Sequence, residues 1–172
     1  MEIKGTTKYT PEIFRKFQRF HLTKNKALLV CVIIYEIGLL LSIVRVCLTG
    51  NFEENLSGLI FAVIMVLLIP FVYIATPWLA SRNSKNFAGI ENSFIFKEEG
   101  LTAYSKGSTI DSKAEMKYEL FYRVYETSDC FYIYQTKRQA FILLKQDIEE
   151  NKVDDLRELL TNKLPKNKYK KI

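Results

Sequence analysis

Two apolar stretches, each about as long as a bilayer is thick, constrain this chain more than any other feature. The first runs from Ala27 to Leu48 (ALLVCVIIYEIGLLLSIVRVCL) and the second from Gly58 to Leu79 (GLIFAVIMVLLIPFVYIATPWL). At ~1.5 Å per residue, either one makes a helix of roughly 33 Å, enough to cross a hydrocarbon layer of ~30 Å. Glu36 and Arg45 interrupt the first stretch. A charge at the centre of a span costs about 2.5–3.5 kcal/mol, whereas each Leu, Ile or Val returns about 0.3–0.6 kcal/mol, roughly 4–8 kcal/mol over the stretch. Arg45 lies toward one end, where its stem can snorkel. Insertion outweighs the interruptions, so residues 27–80 are expected to form a transmembrane hairpin with spans 27–48 and 58–79, not the buried hairpin of a soluble globule.

Charge sets the expected topology. The net charge is +6. Lys4, Lys8, Arg15, Lys16, Arg19, Lys24 and Lys26 precede the first span against Glu2 and Glu12, and Arg82 and Lys85 follow the second. The connection 49–57 has no Lys or Arg and carries Glu53 and Glu54. The positive-inside rule places this loop outside and both termini in the cytoplasm of a multi-pass plasma-membrane protein. Tyr73 and Trp78 then fall toward the inner interface, and Pro70 frees the Val66 carbonyl within the second span. The first 26 residues are polar, so no cleavable signal peptide is expected. Cys31, Cys47 and Cys130 form no CxxC pair and read as reduced thiols.

The polar parts divide into an N-terminal segment (1–26), a strand-rich domain (81–164) and a basic tail (165–172). Residues 2–9 read as a short strand. Residues 11–24 read as a helix, with Ile13, Phe14, Phe17 and Phe20 at helical spacing and Arg15, Lys16 and Arg19 between them. Such a helix either lies on the inner leaflet or packs on the cytoplasmic domain. Arg15, Lys16, Arg19, Lys24 and Lys26 are therefore candidate membrane-surface contacts. So are Lys166, Lys168, Lys170 and Lys171 of the tail, where attraction to anionic lipid is worth about 1 kcal/mol per residue; the alternative for the tail is a solvated, disordered end. From Ser93 onward period-two alternation predicts strands around Phe94–Phe96, 101–106, 108–112, 116–124, 131–136 and 140–145, with turns at Glu99-Gly100, Lys106-Gly107-Ser108 and Thr127-Ser128-Asp129. Ile148, Val153, Leu156, Leu159, Leu160 and Leu164 predict a closing amphipathic helix over 147–164, its N-terminus marked by Asp147, Glu149 and Glu150. The fold class is membrane α+β: a two-helix transmembrane hairpin, then a small antiparallel β meander or half-barrel capped by a C-terminal helix, the layout of a pleckstrin-homology-like domain.

Several local runs in this order resemble the YcxB-like family of bacterial membrane proteins. They are Tyr9-Thr10-Pro11-Glu12, Phe94-Ile95-Phe96-Lys97-Glu98-Glu99-Gly100-Leu101, Tyr118 through Glu126, Phe131-Tyr132-Ile133-Tyr134 and Ala140-Phe141-Ile142-Leu143-Leu144-Lys145. Leu144-Lys145-Gln146 departs from the Pro-Lys-Arg-like run common at the end of the last strand. The resemblance implies a bacterial plasma-membrane protein with a cytoplasmic pleckstrin-homology-like domain. It implies no reaction and carries over no catalytic residue.

Catalytic signatures are missing from the sequence. His21 is the single histidine, which excludes HExxH zinc sites and histidine-based triads within the chain. There is no P-loop, GxGxxG or GxSxG motif; Lys106-Gly107-Ser108-Thr109 reads as a turn. Adjacent acids at Glu98-Glu99, Glu149-Glu150 and Asp154-Asp155 project apart and read as solvated faces. No catalytic residue, metal site or cofactor is expected, and no nucleic-acid partner, since the strand-rich domain is nearly balanced in charge. Glu36 is the candidate intramembrane functional residue: it lies mid-span, level with Ile69, Pro70 and Phe71 of an antiparallel partner, where its protonated form could donate to the carbonyl that Pro70 frees. The alternative is a tolerated residue, neutral in the bilayer or paired with another subunit. The expected function is that of a non-enzymatic membrane protein whose cytoplasmic domain binds a protein segment or anionic lipid head groups at the inner leaflet. The alternative is a small homo-oligomeric transport or immunity-type protein acting through its spans.

Overall fold

The computed structural model describes residues 2–24, 26–83, 89–108 and 111–172. Lys85, and Thr109 and Ile110 of the expected strand 108–112, lie outside them. The chain divides into a helical unit, residues 11–85, and a β unit made of residues 1–10 and 86–172.

In the helical unit α1 (Pro11–Thr23) precedes two long helices, α2 (Lys26–Thr49) and α3 (Phe52–Asn83). Both α1 and α2 pack on α3, and Phe17 of α1 is buried. The apolar parts of α2 and α3 are long enough to cross a membrane, and almost none of either is buried. Ile34, Leu41, Leu67, Phe71 and Ile74 are among the large apolar side chains left in the open. A soluble monomer rarely exposes so continuous an apolar surface, so these are not the core helices of a globule. The connection is shorter than the expected loop 49–57. Gly50, at φ +71°, and Asn51 alone separate the helices, and Glu53 and Glu54 occupy the first turn of α3, where carboxylates suit the N-terminal dipole. α3 continues through Pro70 and Pro77 as one helix.

The β unit has two four-stranded sheets among the described residues. The first follows chain order, β1 (Ile3–Lys8), β2 (Glu91–Lys97), β3 (Gly100–Lys106) and β4 (Asp111–Met116), all antiparallel. The whole helical unit is thus inserted between two directly paired strands, Ile3 opposite Phe96 and Lys8 opposite Glu91. The expected segment 1–26 is split for this reason: its strand belongs to the β unit and its helix does not. The second sheet has the order β7 (Ala140–Leu144), β6 (Cys130–Tyr134), β5 (Arg123–Glu126), β8 (Tyr169–Lys171). Between them, Ile3, Phe94, Phe96, Leu101, Val124, Phe131, Ile133 and Leu143 build one core with Leu156 and Leu160 of α4 (Val153–Lys163).

Three further sequence expectations change. The expected strand 116–124 is broken by a 3-10 turn at Tyr118–Leu120. The buried Tyr118 donates to the Lys97 carbonyl at 2.7 Å and its ring meets Phe121 edge-on, so the chain bends from one sheet to the other while Leu120 turns outward. The closing helix begins at Val153, not residue 147. Lys145–Asp147 form a 3-10 turn and Asn151 sits at φ +62°, a left-handed conformation that cannot continue a helix. Asp154 and Asp155, rather than Asp147, Glu149 and Glu150, fill its first turn. The tail is not a free end: β8 runs parallel to β5, with Tyr169 opposite Val124 and Lys171 opposite Glu126.

Candidate functional site

Four features stand out from residues whose burial needs an explanation. The first is a carboxylate sequence reasoning missed. Glu126, the last residue of β5, is fully buried. It accepts hydrogen bonds from Lys145 Nζ at 2.7 Å, from Arg157 Nε at 3.0 Å and Nη2 at 2.7 Å, and from the Tyr169 hydroxyl. Burial, the largest single influence, works against its charged form. The bonds from Arg157, Lys145 and Tyr169 and the charge of Lys145 outweigh it and hold the carboxyl at about 2. The same arrangement pushes Tyr169 upward by burial and by its bond to Glu126, and raises Arg157 through its bond to Glu126. An ionised group with every acceptor direction taken neither moves protons nor holds a metal. It ties α4, β8 and the end of β7 to β5. In the sequence Glu126 is one acid closing an apolar run; Lys145 and Arg157 carry no spacing that points back to it.

The second feature is an open sheet edge. β1 is closed against the second sheet: the Glu149 amide bonds the Lys4 carbonyl, Leu144 N donates to Thr7 Oγ1, and Gly5 bridges Ile148. The buried Tyr9 accepts from the Ile142 amide at 2.8 Å, and burial pushes its phenol upward. β4, by contrast, pairs only with β3 among the described residues and is exposed from Asp111 to Glu115. Beside it opens a groove of about 470 Å³ lined by Leu101, Thr102, Glu115, Met116 and Leu120, with Leu120 exposed.

The other two lie in the helical unit. Glu36 faces α3 in an open apolar groove of about 360 Å³, with Ile33, Ile69, Pro70 and Tyr73. Its Oε1 is buried with no hydrogen-bond partner among the described residues, so this oxygen makes no bond to the carbonyl freed by Pro70. Arg15 and Arg19 line a second groove of about 430 Å³ with Phe71, Ile74, Pro77 and Trp78 of α3. The other basic candidates are not drawn into it. Lys16 is exposed beside Glu12 at 3.8 Å, Lys24 Nζ lies 3.2 Å from His21 Nδ1, and Lys26 is exposed at the start of α2. In the β unit, Lys168 Nζ donates to the Glu119 carbonyl at 2.7 Å, while Lys166, Lys170 and Lys171 are exposed. No group of His, Cys, Asp and Glu able to hold a metal ion occurs among the described residues.

Fold and sites together define an α+β chain in which an apolar helical unit interrupts a two-sheet domain between its first two strands. Residues 96–160 match the model of the YcxB-like protein family, so this part of the chain is similar to a YcxB-like domain. No curated protein and no solved structure matches it. The match runs from β2 into α4 and includes Glu126, Lys145, Arg157 and the β4 edge. Glu36, Arg15, Arg19 and β8 fall outside it.

Proposed function

We propose that this is a non-enzymatic, membrane-anchored binding protein. Its pleckstrin-homology-like β unit takes up an extended protein segment at the β4 edge, on the cytoplasmic face of a bacterial plasma membrane. The open β4 edge is the observation that carries the reading. An unpaired strand offers a row of amides and carbonyls that an incoming strand satisfies, and the adjoining groove at Leu120 and Met116 supplies a pocket for its side chains. Anchoring by α2 and α3 as two spans is supported by their length and exposed apolar surface. Pairing of β1 with β2 supports both ends of the helical unit lying on one side, because a single sheet does not straddle a bilayer. The flanking Lys and Arg residues make that side the cytoplasm.

The test is photo-crosslinking of the full chain in native membranes from position 112 on β4, compared with position 4 on the closed β1 edge. Crosslinks to polypeptide are expected from 112 alone. Equal yields from both positions, or none from 112, remove the reading. A second reading, an oligomeric membrane protein acting through its helices, is favoured by the unpaired Oε1 of Glu36. Two helices enclose no pathway, so a strict monomer in native membranes excludes it.

A further inference from the structure

The groove between α1 and the C-terminal half of α3 combines two chemistries. Its floor is apolar, made by Phe71, Ile74, Pro77 and Trp78, and its rim carries Arg15 and Arg19, one helical turn apart on α1. Arg15 Nε is buried with no hydrogen-bond partner among the described residues. A buried donor left unsatisfied is unfavourable, and a guanidinium fork is matched by the oxygens of a phosphate. Trp78 is itself stacked by Arg82, whose guanidinium carbon lies 4.8 Å from the ring centroid. The groove thus sits near the end of α3, where an aromatic ring and basic side chains meet the head-group level of a bilayer.

From this placement we infer that the groove is a binding site for one anionic phospholipid. The phosphate sits on Arg15 and Arg19, and an acyl chain lies along Phe71, Ile74 and Trp78. A soluble anion would leave the apolar floor uncovered, and a neutral apolar occupant would leave Arg15 Nε unpaired. Charge and apolar surface together fit an amphiphile with a phosphate head. The inference rests on α2 and α3 being inserted in a membrane, and it separates Arg15 and Arg19 from the other basic candidates. Lys16, Lys26, Lys166, Lys170 and Lys171 are exposed surface charges outside this groove.

The chain contains a single tryptophan, and it lines the groove, so Trp78 fluorescence reports on the occupant. Full-length protein is reconstituted in vesicles of phosphatidylcholine and phosphatidylglycerol. A minor fraction of one lipid or the other carries brominated, quenching acyl chains. Brominated phosphatidylglycerol is expected to reach Trp78 with about tenfold preference over the same fraction of brominated phosphatidylcholine. That corresponds to about 1.4 kcal/mol, one charge-assisted contact. Arg15→Gln with Arg19→Gln is expected to abolish the preference while keeping the basal quenching by brominated phosphatidylcholine, which shows that the variant is still inserted. Lys170→Gln with Lys171→Gln removes the same charge elsewhere and is expected to keep the preference. Equal quenching by both lipids overturns the inference. So does a preference that survives in the arginine variant, or one lost equally in the lysine variant. Failure of every brominated lipid to quench Trp78 overturns the membrane reading beneath it.

Discussion

Replacing Glu126 with Gln tests the central electrostatic claim, because the variant keeps the shape of the side chain and removes its charge. The carboxyl lies at about 2 in the folded chain against an ordinary 4.5. A difference of that size is worth about 3 kcal/mol of folding free energy at neutral pH. The amide of Gln still accepts a hydrogen bond, which returns about 1 kcal/mol. A net loss of about 2 kcal/mol remains, with Lys145 losing its counter-charge and Arg157 keeping only its ion pair with Asp154. Amide exchange over β5 and β6, measured on the full chain in micelles at pH 7, should accelerate about 30-fold. The pH dependence follows from the direction of the shift. A depressed folded-state pKa stabilises fully above the unfolded value near 4.5, and that stabilisation disappears as pH falls through about 2. Urea titrations followed by tyrosine circular dichroism should therefore show wild type and Glu126→Gln converging between pH 5 and pH 2. Acceleration under about threefold, or a gap between the two proteins that persists at pH 2, would refute the reasoning.

Two further outcomes follow from local geometry. A Cβ at position 100 would stand 2.5 Å from the Met116 carbonyl oxygen, which is backbone and cannot swing aside. Gly100→Ala should lose about 1–3 kcal/mol and loosen the β3–β4 pairing, read as faster exchange of residues 100–106. Glu36→Gln keeps a polar group in the α2–α3 groove and removes the ionisable one, so a role in assembly predicts a changed crosslinking pattern in native membranes. An unchanged pattern and unchanged function take Glu36 out of consideration.

The sequence by itself determined the elements whose signal is local. Hydropathy over some twenty residues fixed α2 and α3, because burying that much apolar surface does not depend on which neighbour does the burying. Period-two alternation fixed β2 and the β6–β7 hairpin, and the leucine spacing fixed the face of α4. Glu36, midway along the first apolar run, was visible for the same reason: a charge in an apolar run needs no partner to be conspicuous. The tertiary structure alone decided everything that rests on contacts between distant segments. β1 pairs with β2 across the whole helical unit, and β8 turns the basic tail into a strand against β5. Glu126 gathers Lys145, Arg157 and Tyr169 from three elements. Arg15 and Arg19 separate from the neighbouring lysines only because α1 lies on α3. Period and composition are properties of a stretch of chain. A desolvated charge or a shared groove is a property of what surrounds it, and that is settled only when the segments pack.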